Sequence, residues 1–336
     1  MIGPFATIRR SLYGSGILRR ESLPRPVVSV GNLAVGGSGK TPHVQFLASW
    51  ISGMGMKVAI LSRGYGRRTR GVVWVSRGIG PVVTSEEGGD EPVLLASSLP
   101  GVPVLVGESR ADAGRECLRS MDVDAFLLDD GFQHLTLRRD ADLLLVEAER
   151  GLGNRLTLPF GPLRESVDAA RHADALVVTK CAGISQGEKA AAAVPLPVGR
   201  PRAFTRLVVR AVVDREGRES PISLAGEEVV AFSGLARNGQ FADTLRQCGC
   251  TVRKFFPFRD HHRYSPEDLG KIAVAARVSL VLTTEKDMVR LPAGLPFEVK
   301  ALRVGVEFLS GWDELSRLIL ERLGKSARPD PGGEAR

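Results

Sequence analysis

Short apolar runs alternate along this chain with amphipathic ones, and that alternation constrains its fold more than any single residue. "PVVSVGN" (26–32), "KVAILSRG" (57–64), "VPVLVG" (102–107), "DAFLLDD" (124–130), "ADLLLVEA" (141–148) and "DALVVTK" (174–180) read as strands buried on both faces. "TPHVQFLASWISGMG" (41–55) and "ESRADAGRECLRS" (108–120) read as helices, the first with Pro42 near its start and Gly53 and Gly55 at its end. Repetition of strand, helix and strand gives an α/β fold with a mostly parallel sheet. After about residue 200 the texture changes. "RAFTRLVVRAVVD" (202–214) and "FEVKALRVGVEF" (297–308) are extended and can pair. Between them a second α/β pattern runs from "EVVAFSGLAR" (228–237) to "VSLVLTTEKD" (278–287), with Ser265 and Pro266 opening a helix as N-cap and first helical residue. The expected organisation is a basic amphipathic segment over 1–25 and a core domain over 26–200. Two linker strands with a smaller α/β domain follow over 201–308, then a C-terminal helix over 309–324 and a disordered tail over 325–336.

Between the first strand and the first helix lies "AVGGSGKT", Ala34 to Thr41. Gly39, Lys40 and Thr41 match the P-loop pattern G-x-x-x-x-G-K-[ST], and Ala34 stands where the first glycine would be. Gly36 and Gly37 allow close backbone approach, and the amides around Ser38 and Gly39 form an anion nest with the helix N-terminus. Lys40 would neutralise β/γ-phosphate charge, and Thr41 would place its hydroxyl on Mg²⁺. The strand before and the helix after separate this motif from a chance glycine-rich turn. The core domain is thus P-loop NTPase-like, joined by its two-strand linker to the smaller domain. "LDDG" then gains a meaning beyond a solvated turn. Ligands of open α/β sheets bind at the carboxyl ends of strands, and a nucleotide–Mg²⁺ site needs a carboxylate there. Asp129 or Asp130 fits. If the strand runs through both, their side chains point to opposite faces and have different tasks.

The bulk numbers limit the classes. The 336 residues carry 46 Lys and Arg against 38 Asp and Glu, a net charge of +8, which favours an anionic partner: nucleotide, phospholipid surface or nucleic acid. The four cysteines suggest neither a zinc site nor a disulfide framework, and "CGC" at 248–250 reads as a helix end and strand start. No apolar run is long enough for a transmembrane helix, and no secretory signal is evident.

Taken in order, "SVGNLAVGGSGKTP", "LSRGYGR", "GDEP", "LDDGFQH", "DLLLVEA", "GPLRE", "VVTK", "FSGLAR", "DHHRY" and "TTEKD" resemble the tetraacyldisaccharide 4′-kinases of the lipid A pathway, from about residue 25 to 308. The resemblance implies ATP-dependent transfer of the γ-phosphoryl group to the 4′-hydroxyl of a tetraacylated glucosamine disaccharide 1-phosphate, giving lipid IVA. It implies ATP and Mg²⁺ as cofactors and a peripheral protein on the cytoplasmic face of the inner membrane. Its partners would be the acylated lipid substrate and an anionic membrane surface, with no nucleic acid and no obligate protein partner. It further implies that Asp90 of "GDEP" and His261 of "DHHRY" work together in catalysis. Arg110 lies near them at the reacting end, and Gln133, His134, Arg164 and Glu165 lie on the substrate side.

The residues themselves are consistent with that chemistry. A sugar hydroxyl must be aligned with the phosphate and relieved of its proton, which an Asp or a His–Asp pair supplies. Asp90 lies in the glycine-rich "EEGGDEP", where a helix N-cap is its other reading. His261 alone reads as a structural or exposed histidine, with His262 as its control; in the smaller domain, it would reach the site by domain closure. Arg67, Arg68 and Arg70 form either a solvated loop or a contact with anionic lipid. "VTK" (178–180) is similar to the base-reading element of P-loop GTPases, but Ala182 stands where its aspartate would be. Ile2, Phe5, Ile8 and Leu12 recur at helical spacing among arginines, suiting a helix on an anionic bilayer or one docked on the protein itself. The rival reading is a P-loop GTPase or ATPase acting as a metallochaperone or switch.

Overall fold

The structure, a computed structural model, describes residues 4–277 and 279–324. The expected tail over 325–336 lies outside the described residues. The N-terminal half supplies α1 (Pro4–Gly14), β1 (Val27–Asn32), α2 (Lys40–Gly53), β2 (Val58–Ser62), β3 (Val73–Arg77), α3 (Ser85–Gly88) and α4 (Asp90–Ser98). It continues with β4 (Pro103–Val106), α5 (Arg110–Ser120), β5 (Ala125–Asp129), β6 (Ala141–Glu147), β7 (Ala175–Thr179) and α6 (Ile184–Ala192). The long strand β8 (Arg202–Val213), with the short β9 (Glu219–Ser220) beside it, leads to β10 (Glu228–Ser233), α7 (Asn238–Gln247), β11 (Thr251–Pro257), α8 (Pro266–Ala275), β12 (Leu280–Thr284) and α9 (Glu285–Met288). The second long strand, β13 (Val299–Ser310), precedes α10 (Trp312–Arg322).

One sheet runs through both halves in the order β11-β10-β12-β13-β8-β7-β6-β1-β5-β2-β4-β3. Neighbours are parallel except β8 with β13 and β3 with β4. The antiparallel β8–β13 pair, Ala301 opposite Val213 at one end and Ser310 opposite Phe204 at the other, joins the two lobes. β3 is absent from the sequence reading. On this antiparallel edge only Val75 and Ser76 are fully buried and Arg77 is exposed, so "VWVSR" lacks the continuous apolar signature of a central strand.

The strand residues of β1, β5, β6 and β7 are all buried, which is why they read as unbroken apolar runs. Helix α2 lays Val44, Leu47, Ala48 and Ile51 on this sheet. Truncating one such leucine to alanine costs about 2–5 kcal/mol. On the other side of α2, Trp312 of α10 sits edge-on to Phe46 and Trp50, with ring centroids 5.1 and 4.8 Å apart. Helix α2 is thereby held by the sheet and by α10 within one apolar cluster, and its N-terminus follows the end of β1.

Candidate active site

The phosphate loop is held by its own polar atoms. Asn32, the last residue of β1, donates from Nδ2 to the Ala34 carbonyl at 2.7 Å and to Ser38 Oγ at 2.8 Å. Thr179 at the end of β7 donates to the Ser38 carbonyl at 2.8 Å. Gly39 caps α2 in the left-handed region with φ 77°, which an L side chain adopts only under strain. Lys40 follows as the first helical residue, buried, with Nζ 3.4 Å from Asn32 Oδ1 and 3.5 Å from Asp130 Oδ1. His43, one turn on, makes contacts that the sequence did not signal. Its Nδ1 lies 2.7 Å from the Gly39 carbonyl and its Nε2 3.0 Å from Thr205 Oγ1 on β8. A carbonyl only accepts, so Nδ1 carries the hydrogen and Nε2 accepts from the threonine. Burial pushes the His43 pKa down to about 4, which keeps this ring neutral.

The two aspartates separate as soon as the strand ends. β5 stops at Asp129, and Asp130 takes a left-handed backbone with φ 53°, so strict alternation across one strand does not extend through both. Asp129 is fully enclosed. Its Oδ2 accepts from Ser62 Oγ at 3.1 Å, and its Oδ1 has no partner among the described residues. Burial, then Glu91 and Asp130, push its pKa up to about 7. Asp130 is half-buried, and Lys40 and Arg164 outweigh the cost of that burial and hold its pKa below the usual carboxylate range. Arg164 Nη1 donates to Asp130 Oδ2 at 2.7 Å.

The loop after Asp130 packs closely on the end of β1. A Cβ at Gly31 would stand 2.6 Å from Phe132, so only glycine fits there. Gln133 donates from Nε2 to the Asn32 carbonyl at 2.9 Å, and its Oε1 accepts from Arg164 at 3.4 Å. His134 Nδ1 accepts from Arg110 at 3.4 Å, and its Nε2 lies 3.0 Å from the Thr136 hydroxyl. Burial, then Arg110, take the His134 pKa down to about 3. Arg110 itself is buried at the start of α5, and burial with the nearby Arg63 lowers its pKa to about 10. Glu165 is buried with both carboxylate oxygens on Arg10 of α1, at 2.7 and 3.0 Å.

The second constellation lies where the lobes meet. Gly89, with φ 90°, is the N-cap of α4, so Asp90 is its first helical residue rather than its cap. Asp90 Oδ2 meets His261 Nδ1 at 2.8 Å across 171 residues of chain, and Arg290 Nε at 3.6 Å. His261 sits in the loop after β11 with φ 58°, a strained backbone for a non-glycine residue. A carboxylate accepts, so Nδ1–H donates to Asp90, and Nε2 accepts from Lys286 Nζ at 3.4 Å. Lys286 also pairs with Glu91 at 3.4 Å. Glu91 and Lys286 went unremarked in the sequence, although each lies inside a recognised motif, "GDEP" and "TTEKD". A cleft of about 1090 Å³ opens beside the pair, lined among others by Tyr65, Glu86, Arg263 and Arg290. His262 is occupied elsewhere: its Nε2 is 2.9 Å from Asp268, and its ring stacks on Phe258 at 4.5 Å.

Of the loop arginines, Arg67 is turned inward, binding Glu108 at 2.8 Å and the Gly71 carbonyl at 2.7 Å, while Arg68 pairs with Glu86 on the surface. Lys180 of "VTK" lies 3.4 Å from Glu147 and from Gln240 of the second lobe. Among the described residues no three His, Cys, Asp or Glu side chains converge as a metal cage. A hard cation shared with phosphate needs only one or two carboxylates, and the orphaned oxygen of Asp129 fits such an ion.

A phosphate loop at the end of β1, a buried acid ending the adjacent β5 and a His–Asp pair shared between the two lobes define a nucleotide-dependent phosphotransferase of the P-loop type. The chain belongs to the tetraacyldisaccharide-1-P 4′-kinase family, whose profile it matches over residues 1–324. It is 40% identical to the tetraacyldisaccharide 4′-kinase of Anaeromyxobacter sp. (strain K), covering 98% of this chain and 90% of that one. It is 41% identical to the enzyme of the same name from Geobacter sulfurreducens, covering 88% and 83%. The structure of LpxK from Aquifex aeolicus in complex with ATP superposes with a TM-score of 0.79 at 36% identity, covering 95% of each chain.

Proposed function

We infer how this site carries out the family's reaction from the arrangement of its two halves. The chain is an ATP-dependent kinase of lipid A synthesis that phosphorylates the 4′-hydroxyl of a tetraacyldisaccharide 1-phosphate. Gly36, Gly37, Ser38 and Gly39 present their amides to the β- and γ-phosphates of ATP, and Lys40 neutralises the charge that develops on the transferred group. Asp129 and Thr41 are the residues suited to Mg²⁺, with Asp130 beside them held by Lys40 and Arg164. When bound, the ion supplies further neutralisation of the phosphate oxygens. Asp90 and His261 act as one base. The hydroxyl loses its proton to the pair as its oxygen attacks the γ-phosphorus, and Asp90 stabilises the imidazolium that forms. Gln133, His134, Arg164 and Glu165 line the side that binds and orients the disaccharide, and Arg110, against His134, serves the reacting end.

The observation that carries this reading is the 2.8 Å contact of His261 with Asp90, which no single lobe provides. The reading extends to a peripheral protein on the cytoplasmic face of the inner membrane. Among the described residues no helix is long and apolar enough to cross a membrane. Helix α1 carries Arg9 and leaves Ile8 57% exposed, which suits an anionic bilayer surface.

The deciding measurement is nucleotide turnover with and without the acylated disaccharide 1-phosphate, with the lipid product analysed for a new 4′-phosphate. ATP consumption should depend on the lipid and match product formation. Turnover indifferent to the lipid would favour a nucleotide switch instead.

A further inference from the structure

Helix α1 reaches the core through one charged side chain. Ala6 and Arg10 are its buried residues among those whose side chains are described. Burying a guanidinium is costly unless it is paired and hydrogen-bonded, and Arg10 is both. Its Nε and Nη2 form a fork onto Glu165, at 2.7 and 3.0 Å, and Nη2 also donates to the Phe132 carbonyl at 3.0 Å. The guanidinium carbon lies 4.7 Å from the centre of the Phe132 ring. A two-point fork of this kind fixes direction as well as distance.

Arg10 therefore ties together two loops at the end away from the Arg164–Asp130 contact. One runs from Asp130 to His134, the other from Pro162 to Glu165. Each also touches backbone atoms of the segment from Asn32 to Val35 that leads into the phosphate loop. Gln133 donates to the Asn32 carbonyl, the Arg164 amide donates to the Leu33 carbonyl at 2.7 Å, and the Val35 amide donates to the Pro162 carbonyl at 2.8 Å. The two loops meet again on the reactive side, where Arg164 holds Asp130 and Asp130 faces Lys40. Arg10 itself makes no hydrogen bond or ion pair with Asp130 or Lys40 among the described residues. Its influence on them passes through Glu165 and its chain neighbour Arg164.

We propose that Arg10 is a positioning residue of the phosphoryl-transfer site, and that through it the N-terminal helix sets the Arg164–Asp130–Lys40 register as well as facing a membrane. This rests on the kinase reading above. It separates two roles for one helix: the outward face carrying Ile8 meets lipid, and the inward Arg10 orders the nucleotide end.

The test uses the full chain in detergent micelles, where vesicle binding plays no part. Arg10→Met alone strands Glu165 as a buried charge and can unfold the protein, so the main variant is the pair Arg10→Met/Glu165→Gln. With the melting temperature close to wild type, kcat should fall about 10- to 100-fold, the size typical when the partner orienting a site ligand is lost. Its KM for ATP should change far less. Combined with Asp130→Asn, the loss should be clearly less than the product of the separate losses, because both act on one register. Arg10→Lys, which keeps the charge and loses the fork, should recover only part of the rate. A folded paired variant with wild-type kcat would overturn the proposal, and so would full multiplicativity with Asp130→Asn. If the paired variant melts below the assay temperature, Arg10→Lys decides: an undiminished kcat overturns the proposal, and a several-fold loss with unchanged KM supports it. A wild-type protein without lipid-dependent turnover would instead remove the kinase reading itself.

Discussion

The phosphate-loop end and the Asp90–His261 seam are assembled by opposite means. At the first, Lys40 is 8% exposed and Asp129 1%, and their partners Asn32, Ser62 and Asp130 come from β1, β2 and the end of β5. Adjacent parallel strands place these residues together whenever the sheet forms. At the seam, the His261 side chain is 39% exposed, and its partner Asp90 belongs to the other lobe. Nothing local brings them together; the β8–β13 connection must hold both lobes in register. The nucleotide end is thus set by neighbouring strands of one lobe, whereas the seam depends on how the two lobes are placed.

Mutation at the seam should give the largest losses and break the comparison if it is wrong. Asp90→Ala and His261→Ala should each lower kcat about 10²–10⁴-fold. The double variant should be little worse than the worse single one, because the pair acts as a unit. Full additivity would mean two independent roles, and a milder loss is expected for His262→Ala, whose partners are Asp268 and Phe258. At the other end, Lys40→Ala should cost about 3–4 kcal/mol of transition-state stabilisation while the thermal melt stays near wild type. A folded Lys40→Ala protein with a near-normal rate would detach the loop from the chemistry.

The smallest effect on rate, and the sharpest on stability, concerns His43. Its folded pKa, about 4, lies below the ordinary histidine value, so the unfolded chain binds the proton more readily. The neutral ring's contribution is fully present above about pH 6.5 and is lost as pH falls toward 4. A shift of this size corresponds to about 3 kcal/mol. Melting temperature measured from pH 7 to 4 should drop in that window, and the drop should shrink in His43→Gln. An identical acid profile in the variant would place the acid sensitivity elsewhere, with His134 the next group to examine.

Much of the nucleotide end was legible in the sequence because its information is contiguous. Gly39, Lys40 and Thr41 are neighbours, the helix they open follows at once, and the apolar run before Asp129 marks a buried strand. The aspartates could be read as a pair but not told apart. That Asp130 leaves the strand at positive φ while Asp129 stays with an orphaned oxygen is a backbone fact with no local signature. The approach of Asp90 to His261 was available only through resemblance, since no periodicity relates residues 171 positions apart.

Local chemistry alone fixed the alternation of elements, the phosphate loop and the Ser265 cap of α8, because each depends on side-chain pattern or on residues within a few positions of one another. Three other features came only from the tertiary structure. These are the fork of Arg10 on Glu165, the bridge of His43 from Gly39 to Thr205, and the contact of Asp90 with His261. Each joins groups far apart in the chain, and their burial or strained backbone is tolerated only because a partner lies within hydrogen-bond reach once the sheet has assembled.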